Sequence, residues 1–183
     1  MTVKEFDEFV ERQQGAGPID WDRERDEWLA HLDALYRKIE TMLGSYISSG
    51  QIKTAYKSID LNEDDIGSYQ ARQMILWIGR QEVDIVPAGT RFVGFKGFVE
   101  VIGSAGKASL ALANKDRQST VPEGPHTRRL KEIVRRHRAD SELTAPLEKP
   151  EWVWKILPRP PGRNLDELTP ESFFQLLMEV TNG

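Results

Sequence analysis

Cysteine is absent from all 183 residues, which removes disulfides, thiol nucleophiles and cysteine-ligated zinc, and suits a reducing compartment. Histidine is nearly as scarce. The three present are His31, His126 and His137, and none stands in a catalytic spacing. His31 follows Glu27 by one helical turn and so offers a single metal edge, with no second pair to complete it. No run approaches the roughly 20 apolar residues a membrane-spanning helix needs. Met1 to Glu8 is acidic with no apolar core, so no secretory signal is read there, and no Asn-x-Ser/Thr sequon occurs. These absences lead us to expect a cytoplasmic protein.

The recurrent catalytic motifs are missing too: there is no G-x-S-x-G elbow, no H-E-x-x-H and no deaminase signature. Gly103-Ser104-Ala105-Gly106-Lys107 imitates a phosphate loop. However, Val101 stands where the first glycine belongs, and Ala108 where Ser or Thr would hold magnesium. Asp60, Asn62 and Asp64 imitate the start of a calcium loop, but Asp65 replaces the turn glycine and Ala71 the bidentate glutamate. No catalytic residue, metal or cofactor is assigned. The reading leans away from an enzyme and leaves that question open.

What is present is an ordinary globular composition, 39% hydrophobic and 30% charged, enough for one domain with a real core. Charge is unevenly spread. Residues 1–65 carry a net −7, residues 66–113 carry +2, residues 114–149 carry +3 and residues 150–183 carry −2. An acidic, helix-rich start therefore faces a mildly basic remainder, and the two can attract within one molecule.

The stretch from Tyr69 to Ala113 organises the rest. Met74 to Ile78 is a short run of large and β-branched side chains, ended by Gly79-Arg80. Gln81 to Val86 alternates, with Val83 and Ile85 on one face and Glu82 and Asp84 on the other. Arg91 to Ile102 places Val93, Phe95, Gly97, Val99 and Val101 together and Lys96 and Glu100 opposite, while Gly94 and Gly97 signal a bulge or a close backbone approach. Lys107 to Ala113 alternates again. Glycine-bearing turns this short force antiparallel neighbours. Gln51 to Ile59 and Glu151 to Leu157 add flanking strands, the latter with Trp152, Trp154 and Ile156 on one face. The expectation is an α+β fold: a coiled antiparallel meander of five to six strands, with barrel-like closure as an option. A long N-terminal helix and a short C-terminal helix pack on it.

Asp20 is read as the N-cap of the long helix, which runs to about Ser48. Trp28, Leu32, Leu35, Ile39, Met42 and Tyr46 are spaced 4-3-4-3-4, a heptad seam suited either to packing across the sheet or to a dimer. Thr169-Pro170-Glu171 starts the second helix, with Phe173, Phe174, Leu176, Leu177 and Val180 as its apolar face. Residues 1–17 read as a helical arm and linker, and 18–183 as a single α+β domain containing a basic excursion at 114–150. Within that excursion a short amphipathic helix at 127–138 carries Arg128, Arg129, Lys131, Arg135, Arg136 and Arg138.

Function is carried by surfaces, on this reading. The first expectation is a non-enzymatic cytoplasmic protein-interaction or assembly module, binding a protein partner or itself. The alternative is a nucleic-acid-associated accessory protein using the basic helix, disfavoured by the acidic pI near 5.5 and by the lack of stacking aromatics in that segment. A weaker alternative is a ligand-binding barrel or hydrolase with dispersed pocket residues. Phe92 and Phe98 share a strand face with charged residues. They are core if the helices cover that face and an interaction patch if they do not.

Overall fold

The computed structural model describes residues 19–90, 94–115, 150–158 and 164–182. The N-terminal arm, the helix at 127–138, Phe92 and Val93 lie outside these residues. The elements are α1 (Trp21–Met42), α2 (Gly44–Ser48), β1 (Ile52–Glu63), β2 (Gly67–Ile78), β3 (Gln81–Gly89), β4 (Phe95–Ile102), β5 (Lys107–Asn114), β6 (Trp152–Ile156), β7 (Asp166–Glu167) and α3 (Pro170–Asn182).

The strands pair in sequence order, every pair antiparallel. The meander expected from alternation and short turns is therefore present, with seven strands instead of five or six. It is open. β1 and β7 are opposite edges, so the barrel-like closure does not form. The seventh strand escaped sequence reading because two residues carry no period.

Asp20 caps α1 as its position suggested, its carboxylate accepting from the Arg23 amide. The long helix does not run unbroken to Ser48. It ends at Met42, and after Leu43 the chain starts the five-residue α2. Trp28, Leu32, Leu35 and Ile39 are fully buried against the sheet, with Met42 half-buried beside them, whereas Tyr46 is exposed and forms a T-shaped ring pair with Phe174. Most of the seam is thus consumed within one chain, the packing option its spacing allowed. Each buried member contributes about 1.5–3 kcal/mol of transfer free energy. Thr169 and Pro170 start α3, which buries Phe173, Leu176, Leu177 and Val180 on the same sheet face.

That face is the one bearing Val83, Ile85, Val99, Val101, Leu110 and Leu112. Phe98 lies on the reverse, half-buried and edge-to-face with Phe95 at 5.1 Å. Among the described residues, the helices α1 and α3 therefore lie on the face opposite Phe98. Its two rings sit over Ala113 and Ala111, their cross-strand partners.

Two irregularities shape the site. Phe95 pairs with Ala113 but Gly97 pairs with Leu112, so Lys96 is an extra residue in β4. At such a bulge two successive side chains share a face, and Lys96 joins Gly97 on the helix side, reversing the face that plain alternation assigned it. In the β1–β2 ribbon, buried positions switch from even numbers (Ile52, Met74, Leu76) to odd ones (Glu63, Tyr69, Ala71) without any break in pairing. β3 pairs with β2 only from Met74 to Ile78. Beyond that point the ribbon is free to coil and turn its other face inward.

Candidate functional site

At the bulged end of β4 an open groove of about 610 Å³ lies between the first turns of α1 and the start of β6. Lys96 is at its base. The side chain is only 11% exposed, its ammonium donating to Glu27 at 2.6 Å and Glu24 at 3.5 Å. The same nitrogen stands 5.6 Å from the centre of the Trp152 ring, within range of a cation–π contact. Glu24 and Glu27 lie one turn apart on α1, as i and i+3, which is why both can reach one cation. Arg23 binds Glu27 from the other side at 3.0 Å. Hydrogen bonds from Lys96 and then Arg23 hold the Glu27 carboxyl below its usual pKa.

Trp21, Phe95, Pro150 and Trp152 supply aromatic and apolar walls. Trp21 is 39% exposed: one heptad upstream of the seam, it falls on the groove and not in the core. Asp65 and Thr90 complete the rim. The charges along the lining are Glu24, Glu27 and Asp65 against Arg23 and Lys96, leaving a net negative groove.

Thr90 is fixed from behind by Glu63, which is 9% exposed. One carboxylate oxygen accepts from the Thr90 amide at 2.9 Å and its hydroxyl at 2.6 Å, the other from the Tyr69 hydroxyl at 2.5 Å. Gly89 lets the carboxylate approach: it has φ +105°, and a β-carbon there would lie 3.1 Å from the Glu63 carboxyl carbon. Burial, then the bond to Glu63, raises the Tyr69 pKa. By composition Glu63 belongs to the acidic stretch from Asp60 to Asp65. The available signal was parity, since it continues the inward series Ile59, Leu61.

His31, one turn beyond Glu27, is partly buried, and desolvation followed by the charge of Lys96 lowers its pKa. It does not form a metal edge with Glu27, whose carboxylate is engaged by Lys96 and Arg23. Among the described residues no group of three or more His, Asp or Glu is placed to hold a metal ion, and no helix is long and apolar enough to cross a membrane. Arg128, Arg129, Lys131, Arg135, Arg136 and Arg138 lie outside the described residues. The chain departs for them after Lys115 and returns at Pro150, on the groove wall, where the Lys115 amide donates to the Glu151 carbonyl at 2.8 Å. Comparison with protein families, with characterised proteins and with solved structures found no match for this chain.

Proposed function

We propose that the chain is a protein-interaction module, acting in the cytoplasm, and that the groove around Lys96 recognises a basic side chain of a protein partner. One observation carries the reading: a lysine ammonium already occupies the base of the groove, held by two carboxylates and an indole face. The site is thus built from groups that favour cations. Glu24, on the longer contact and 42% exposed, has acceptor capacity left for a second cation. Trp21 and Trp152 offer faces for the aliphatic stem of a lysine or the plane of an arginine. The net negative lining disfavours a phosphate backbone here, so a nucleic-acid role would rest on residues 127–138.

The test is titration of the full chain with blocked tripeptides, Gly-Arg-Gly and Gly-Lys-Gly against Gly-Glu-Gly, read through the indole N–H resonances of Trp21 and Trp152. Saturable shifts with the basic peptides alone, lost in Trp21→Ala and weakened in Glu24→Gln, are expected. Equal response to the acidic peptide, or none to any, would overturn the assignment.

A further inference from the structure

The two edges of the sheet are unlike. β7 has two residues, whereas β1 has twelve, Ile52–Glu63, in uninterrupted register with β2 on its inner side. No described residue donates to or accepts from the outward backbone groups of β1. The strand contains no proline and no bulge against β2, and Lys53, Tyr56, Lys57, Ser58 and Asp60 are exposed along it. A long regular edge with unsatisfied N–H and C=O groups is a template for another strand.

The charges along β1 say which strand it suits. The half from Ile52 to Ser58 carries Lys53 and Lys57 and no acid. The half from Ile59 to Glu63 carries the exposed Asp60 and no base, its other acid, Glu63, being turned inward onto Tyr69 and Thr90. A copy of this strand laid antiparallel puts each basic half against an acidic half, while a parallel copy would put like against like. Antiparallel pairing about a two-fold axis is also the arrangement that satisfies both edges with one surface. We propose that the outer edge of β1 pairs antiparallel with the same edge of a second copy of this chain, making one continuous sheet across a two-fold dimer. The surface is separate from the groove around Lys96, and either can exist without the other.

Sedimentation of the full chain over a concentration series, at low and high salt, reads this directly. The expected result is a dimer that weakens as salt rises. Lys53→Glu with Lys57→Glu makes the whole strand acidic and should raise the dissociation constant about tenfold or more, with circular dichroism unchanged. Asp60→Lys, at an exposed position in the other half, should weaken the dimer independently and covers the case in which the first variant folds poorly. Hydrogen exchange adds the location: amides of residues 52–63 should gain protection as concentration rises. A chain that stays monomeric throughout would overturn the proposal. So would a dimer that survives both charge changes with β1 amides exchanging at a concentration-independent rate.

Discussion

Gly97 lies directly under the six-membered ring of Trp28: a β-carbon on Gly97 would stand 2.2 Å from Cζ3 of that ring. The contact closes α1 onto the bulged end of β4 and sets how near the helix comes to Lys96. We predict that Gly97→Ala lowers stability by about 1–3 kcal/mol through overpacking, measured by urea unfolding. In a Trp28→Leu background the same change should cost markedly less, because the obstructing ring is gone. Equal costs in the two backgrounds would mean the strain is not between these residues.

Glu63 anchors Thr90 and Tyr69 from inside the ribbon. Its truncation to alanine leaves three donors without their acceptor and should cost about 3 kcal/mol or more, counting about 1 kcal/mol or more for each lost bond. Glu63→Gln keeps the shape and one oxygen acceptor, so its cost should be smaller. Thermal unfolding of the two variants gives the ordering, and a more stable alanine variant would contradict it.

Acid should weaken the fold in two steps. His31 has its pKa lowered by burial and by Lys96, so the unfolded chain takes up a proton that the folded chain refuses. Its contribution is complete above the ordinary value of 6.5 and falls as pH drops from there toward the folded value. Glu27 has its pKa lowered from 4.5 by Lys96 and Arg23. Its stabilisation is present above 4.5 and is lost as pH falls through the folded value. Urea midpoints should decline as pH falls below the ordinary histidine value of 6.5, then further as it falls below 4.5. His31→Gln should flatten the first step alone, and an unchanged first step would assign it to other groups.

Alkali works in the opposite sense on Tyr36, Tyr56 and Tyr69. Burial raises all three pKa values, helped by Tyr56 bonding Glu40 and Tyr69 bonding Glu63. The folded chain keeps these phenols protonated above their ordinary value of 10, where the unfolded chain releases them. Stability should therefore fall as pH rises past that value. Phenolate absorbance should show these groups ionising late and together with unfolding; early, reversible ionisation of all three in the native chain would refute the burial argument.

Most of the scaffold is legible in the sequence because period-two alternation and glycine turns are local signals. Val83, Ile85, Val99, Val101, Leu110 and Leu112 are inward as alternation requires, and Trp28, Leu32, Leu35 and Ile39 are buried as their spacing allows. The groove was not legible. Gly94 and Gly97 announce a bulge, but only the pairing with β5 locates the extra residue at Lys96, and without that count the lysine is assigned to the wrong face. Glu63 and Thr90 are 27 residues apart, a contact created by the coil of the β1–β2 ribbon, which depends on where β3 stops pairing. The choice of sheet face for the helices was equally hidden. Phe95 and Phe98 are large enough for a core, and only the phase change between them shows that they share the side away from α1 and α3.

The extra residue in β4 has one more implication. Phe95 and Gly97 already occupy opposite faces, as neighbours in an unbulged strand do. A β4 shortened by Lys96 alone would keep Phe95 over Ala113 and Gly97 under Trp28, and the sheet would regain plain alternation. The groove would lose the cation that joins α1 to Trp152. The chemistry of the groove is therefore an insertion carried by the sheet, so a loss of length at this one point would change the groove and leave the architecture intact.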